Sequence, residues 1–354
     1  MKIKTIIVQF LSIALVGFLA ACSDWTEQEP LSIINPSIED ANSLAYQEYL
    51  SNLRIFKQTY HPLMVGIFDN SDKSFKSRAT RIKALPDKVD IVSLMYPDSL
   101  TDVELDDISS VRKEKGTRVI YTIAYEDLRK SIELENFDIE IENLVLDVPK
   151  PLRDLTAETA VFLDEQLALL NKYDYDGFIL HYIGASTHFM KDSEIAEMKA
   201  LQDIIFGKVL TAINAHPDKT YILEGRPQGV LDKSVLMNFD HILISTQYLG
   251  GVSDFTLLVK QSLFDPDVPS NSILVGASPK YTDENEYSWG EITGADGSLK
   301  QNAIIETAYW VKMPDTFTKA GMVVYLINKD YYNPDLDYKH VRAAIEVMNP
   351  SPIN

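Results

Sequence analysis

The sequence predicts a (β/α)8 TIM barrel forming a single domain, and three observations carry that expectation. Short apolar runs of strand length recur eight times between residues 63 and 327. Amphipathic stretches of helical period lie between them, so strand and helix signals alternate as in βα units. No glycine-rich phosphate loop follows the first strand, which favours a closed barrel over a doubly wound sheet.

A helix-period segment carrying Ala41, Leu44, Tyr49, Leu53 and Phe56 enters the barrel, which is expected to occupy residues 41–350. The strands are predicted at Leu63–Phe68, Ile91–Tyr96, Arg118–Tyr125, Gly177–Ile183, Thr220–Glu224, His241–Tyr248, Ser272–Ala277 and Gly321–Ile327. Helices are predicted at Asp102–Lys115, Thr156–Lys172, Ser193–Ala215, Phe255–Phe264, Gln301–Lys312 and Tyr338–Met348. Phe255, Leu258, Leu263 and Trp310 fall on helix faces and are assigned to packing. The segment Pro279–Lys300 has no clear period and is longer than an ordinary loop. Insertions of that kind at a barrel mouth are usually functional.

The first residues read as a processing segment. Lys2 and Lys4 precede an apolar run, Ile6 to Leu19, too short to span a bilayer as a helix, and Leu19-Ala20-Ala21-Cys22 follows. This resembles a bacterial lipoprotein signal covering residues 1–21, with Cys22 as the acylated residue. Cys22 is the only cysteine, so no disulfide can form within the chain. Residues 22–40 open with the polar, acidic stretch Ser23 to Pro30, similar to the tether that directs lipoproteins to the cell surface in Bacteroidetes. The alternative is a plain linker on a periplasm-facing lipoprotein. The resemblance implies an outer-membrane lipoprotein on the cell surface, held to the membrane through its lipid alone.

Charge narrows the partners. The formal net charge is −19, and loss of Lys2 and Lys4 with the signal makes it −21. Such a surface repels phosphate backbones, so nucleic acid is excluded while neutral glycans remain compatible.

The most informative stretch is Tyr173 to Gly184, Tyr-Asp-Tyr-Asp-Gly-Phe-Ile-Leu-His-Tyr-Ile-Gly. It reads as a buried strand entered at Asp176-Gly177. The frame resembles the fourth-strand signature of glycoside hydrolase family 18, where Asp-Gly and an apolar residue precede Asp, Asp and Glu at alternate positions. Alternation points those acids into the barrel mouth, and the last protonates the glycosidic oxygen. Here Asp176, Gly177 and Phe178 match, but Ile179, His181 and Ile183 occupy the acidic positions. The resemblance thus implies the fold and argues against the family's chemistry. It extends less specifically to Pro62–Asn70 on the first strand, to Tyr248, with Thr246 where Met is common, on the sixth, and to Tyr325 as an aromatic floor on the eighth.

In such barrels the strand C-termini carry function. The candidate ligand-binding residues are Tyr96, Tyr125, His181, Glu224, Gln247, Tyr248, Trp289, Tyr325 and Asn328. Aromatic faces stack on sugars, and amides and carboxylates satisfy hydroxyls. His181 reads equally as a hydrogen-bonded core histidine. Metal ligation is not expected, because His188 is wrongly spaced, and no cofactor is implied. If hydrolysis persists, Glu126 and Glu224 are the alternative catalytic carboxylates. Glu224 precedes Gly225-Arg226, and an ion pair with Arg226 is the favoured reading.

The function expected is that of a catalytically inactive surface lipoprotein. It would bind oligosaccharides containing N-acetylglucosamine, such as N-glycans or chitin-like chains, beside the outer-membrane proteins of a glycan-uptake system. The alternatives are an active endo-β-N-acetylglucosaminidase or chitinase with a relocated acid, and a protein-binding adhesin or scaffold.

Overall fold

The computed structural model describes residues 43–281 and 290–351. The chain divides into two units, Met1–Tyr49 and Leu50–Asn354. The described part of the first is the opening of helix α1 (Ser43–Gln58), whose Leu50 and Leu53 are buried.

The second unit is a closed barrel of eight parallel strands. In chain order these are β1 (Leu63–Phe68), β2 (Ile91–Leu94), β3 (Arg118–Ile123), β4 (Gly177–Tyr182), β5 (Thr220–Gly225), β6 (His241–Ile244) and β7 (Ile273–Ala277). After the short strands β8 (Glu291–Ile292) and β9 (Gln301–Asn302) comes the eighth barrel strand, β10 (Lys319–Val324). Around the barrel the order is β1-β10-β7-β6-β5-β4-β3-β2. The TIM barrel predicted from the sequence is therefore the observed fold.

Strands covered on both faces need apolar residues on both. Val65, Ile67, Ile91, Ile120, Ile179, Ile222, Leu243, Leu274 and Val323 fill the interior. The alternate residues, among them Phe68, Val92, Tyr121, Phe178, Leu180, Leu223 and Val275, pack outward under the helices. Trp310 and Phe255 belong to that outer core, with Leu258 and Leu263 packed against it, as their helical spacing predicts.

The bottom of the barrel repeats one device. The acid preceding each of β2, β4 and β6 accepts a backbone N–H from the strand before it. Asp90 takes Met64 at 2.8 Å, Asp176 takes Val119 at 2.6 Å and Asp240 takes Tyr221 at 2.8 Å. Each satisfies a donor that the sheet leaves open. Asp176 also pairs with Arg112, while Gly177 turns at φ +142° with its backbone against β5. A Cβ on Gly177 would lie 1.7 Å from the Thr220 carbonyl oxygen. The Asp-Gly signature is thus a fastening at the base of the barrel.

The shell contains α2 (Asp102–Ser110), α3 (Tyr125–Asn143), α4 (Leu155–Lys172), α5 (Asp192–Ala215), α6 (Val252–Ser262), α7 (Ala303–Lys312) and α8 (Lys339–Met348). Capping residues set several starts: Thr101 and Glu104 form a capping box on α2, Asp154 caps α4 and Asn302 caps α7.

The differences from the predicted elements fall at strand ends. β3 stops at Ile123, because Tyr125 opens α3, a helix of 19 residues that the sequence does not announce. Only Tyr125, Glu126 and Ile132 of it are buried, whereas Leu134, Phe137 and Ile141 face outward, so its apolar pattern does not mark a core face. β6 ends at Ile244 rather than Tyr248. β10 ends at Val324, since Leu326 adopts a left-handed conformation and a 3-10 turn, Ile327–Tyr331, follows. Within Pro279–Lys300, β8 returns to pair antiparallel with β9. Among the described residues no helix is long and apolar enough to cross a membrane.

Candidate functional site

The rim of the barrel mouth is held by side chains that continue the strand ladders. Asn328 places its amide against the backbone of Asp69, accepting from the N–H at 3.3 Å and donating to the C=O at 3.2 Å. Asn70 does the same to Tyr96, both bonds at 2.9 Å, and also donates to Glu104. Thr246 bridges to Gly276, donating to its C=O at 2.7 Å and accepting its N–H at 2.9 Å. Glu126 accepts the Ile183 N–H at 2.7 Å. Each uses polar atoms to satisfy backbone groups just past the last paired residue.

Inside that rim lies a polar layer above the apolar interior. Alternation along the strands turns Ser93, Thr122, His181, Glu224, Ser245 and Tyr325 inward, each two residues after an interior apolar residue. Ser93 and Thr122 share a hydrogen bond at 2.9 Å. His181 and Glu224 are register partners on β4 and β5. Glu224 is buried, and its Oε1 accepts from the Tyr325 hydroxyl at 2.6 Å and from Ser245 Oγ at 3.1 Å. Burial, then the charge of Glu224 and its acceptance of the phenolic hydrogen, push the Tyr325 hydroxyl well above its ordinary range, so Tyr325 is a neutral donor. Its ring lies over Gly276, where a Cβ would come within 2.2 Å of the ring.

The predicted site residues divide between rim and interior. His181, Glu224 and Tyr325 come together in the polar layer. Gln247 stands just beyond it on the β6 side, with its amide oxygen buried and unsatisfied. Tyr96 and Tyr248 are exposed, 47% and 69%. Asn328 is withdrawn from ligand contact by its two bonds to Asp69. Tyr125 is withdrawn as well: it is fully buried and packs against Tyr182 beneath the helices, because the turn into α3 points it outward from the barrel. Trp289 lies outside the described residues.

The two alternative carboxylates also separate. Glu126 has both oxygens committed, one to the Ile183 amide and the other to Arg129 at 2.7 and 2.8 Å, which fastens it to the rim instead of aiming it at a ligand. Glu224 does not pair with Arg226 as its sequence position suggests: Arg226 is the first residue past β5 and is exposed, whereas Glu224 is buried. Glu224 Oε2 accepts no hydrogen bond among the described residues. Ser245 was not singled out from the sequence, although its place two residues after Leu243 carried the signal. Among the described residues no three His, Cys, Asp or Glu side chains converge to hold a metal ion.

Comparison with known proteins decides the family. The model for glycoside hydrolase family 18, BT1044-like, matches residues 26–347. The chain belongs to that family. Among solved structures, a selenomethionine glutamate-to-glutamine variant of BT1044 is 18% identical, with a TM-score of 0.57, covering 89% of this chain and 97% of its own. The endo-β-N-acetylglucosaminidase of Cordyceps militaris is also 18% identical, with a TM-score of 0.55 and coverage of 86% and 96%. YKL-39, solved in the presence of chitooligosaccharides, is 9% identical, with a TM-score of 0.51 and coverage of 81% and 99%. At these identities the likeness is one of fold. No curated protein sequence matches the chain. Family 18 membership agrees with the Asp-Gly frame of β4, whose alternate positions carry Ile179 and His181, with Ile183 just past the strand end.

Proposed function

We propose that this family 18 protein binds oligosaccharides containing N-acetylglucosamine, N-glycans or chitin-like chains, without hydrolysing them. In this reading it does so as an outer-membrane lipoprotein that passes glycan to an uptake system at the cell surface. The observation that carries the reading is β4. Its frame is kept, but Ile183 stands where the family's acid delivers the proton, and an isoleucine has none to deliver. The inward polar layer beside it still offers donors and acceptors, and exposed aromatics stand at the rim. The Cordyceps militaris enzyme and YKL-39 supply the ligand class by analogy.

Replacing Tyr248 by Ala tests the binding site. Affinity for N-acetylglucosamine oligosaccharides, measured by calorimetry, is expected to fall by about 1–3 kcal/mol if the ring stacks on a sugar. Unchanged affinity removes Tyr248 from the site. The lipoprotein reading rests on the Leu19-to-Cys22 segment and predicts that a Cys22→Ala form no longer incorporates a palmitate analogue, whereas continued labelling would refute it. The competing reading, hydrolysis through a relocated acid, rests on Glu224 alone, because Glu126 is fully committed.

A further inference from the structure

The polar layer is unbalanced. Glu224 is 3% exposed, and neither of its two partners is charged. Both donate to Oε1, and Oε2 accepts nothing among the described residues. Oε2 is not among the fully buried oxygens without a partner, so it is open to the mouth, and a carboxylate this little exposed with no cation beside it is only partly solvated, which favours a ligand that brings one. A second acceptor lies nearby in the chain beyond β6, the buried, unsatisfied amide oxygen of Gln247. His181, facing Glu224 across the β4–β5 pair, makes no hydrogen bond within the described residues. Glu224 Oε2 and the Gln247 amide oxygen both call for donors, and Glu224 for a charged one, while a neutral His181 carries one donor and one acceptor of its own.

We infer that the mouth selects a sugar bearing a free amino group, so that the preferred ligand is a partly deacetylated N-acetylglucosamine chain whose glucosamine ammonium meets Glu224 Oε2. This rests on the proposed glycan binding and specifies its chemistry. An acetamide offers a single neutral N–H and brings a carbonyl oxygen that Glu224 repels. An ammonium offers three donors and a full charge, which makes the bond to the carboxylate charge-assisted.

The test is calorimetry of the purified protein with two probes of equal length, an oligosaccharide of glucosamine and one of N-acetylglucosamine, at about pH 6, where an amine is protonated. The glucosamine chain is expected to bind at least about tenfold tighter, the worth of one hydrogen bond to a charged group. Glu224→Gln is expected to remove that advantage, bringing the ratio of the two affinities to about one. Equal binding, or tighter binding of the acetylated chain, overturns this inference and leaves glycan binding standing. No binding of either probe overturns both. An advantage that persists in Glu224→Gln also overturns it, because it then comes from attraction of a cationic chain to the negative surface at large. If Glu224→Gln does not fold, the wild-type comparison is repeated at about 1 M salt, which screens attraction to the surface at large: a persisting preference for the glucosamine chain supports the inference and its loss overturns it.

Discussion

At the scale of single residues, the mouth is governed by where each polar atom is already spent. Glu126 and Glu224 are both carboxylates at the ends of barrel strands, yet one is tied to Arg129 and a backbone amide while the other, among the described residues, keeps one oxygen unengaged. Glu126→Ala is therefore expected to destabilise the fold by about 2–3 kcal/mol in chemical denaturation, the cost of losing charged hydrogen bonds in a buried place. A stability change under 0.5 kcal/mol would contradict that assignment. The sequence did not separate these roles. Side-chain alternation tells whether a strand residue points inward, but not whether a residue past the strand end turns toward a ligand or sideways onto its neighbour's backbone. Asn328 and Tyr125 are the cases in point.

Two histidines at the barrel base give opposite signs of pH dependence. His61 is buried, which opposes its charge, but Asp90 at 2.9 Å and the Thr59 carbonyl at 2.7 Å both accept from its ring, and its pKa is raised. Its stabilising contribution is full below the ordinary histidine value and lost as pH rises through the folded value. His241 is pushed down to about 4 by burial. The unfolded chain then binds a proton between about pH 6.5 and 4 that the folded chain does not, so stability falls with pH across that window. Removing the group by His241→Gln is expected to flatten the decline by about 2 kcal/mol in denaturation curves taken across it. A parallel decline in both forms would show that His241 stays solvated.

At the scale of elements, legibility followed burial. β1 was predicted to the residue, and the remaining barrel strands to within a few residues at their ends, because a strand covered on both faces must be a short apolar run. The Asp-Gly signature was legible for a different reason: Gly177 has no room for a Cβ, and Asp176 has a backbone donor to satisfy. α3 was not legible, since its buried residues cluster at its first turns and its later apolar residues face solvent, so no helical stripe marks an inner face. The same helix moves Tyr125 and Glu126 from the mouth to the shell and the rim. The overestimated lengths of β6 and β10 have a common cause. Their apolar and aromatic runs continue past the last paired residue, and Thr246 and the left-handed Leu326 end the strands within those runs.

At the scale of the whole molecule, the family 18 barrel keeps its scaffold while its fourth strand turns Ile179 and His181 inward and Ile183 follows just past its end. The chain's negative charge sets which ligands approach it, disfavouring polyanions and leaving neutral or cationic glycans. The central claim is binding without turnover. The most direct measurement is to incubate the purified protein with a panel of N-glycan and chitin oligosaccharides, measure binding by calorimetry, and then analyse the same mixtures for cleavage after long incubation. The account predicts heat of binding and intact sugar. Shortened oligosaccharides would contradict it, and loss of that cleavage in Glu224→Gln would identify the relocated acid.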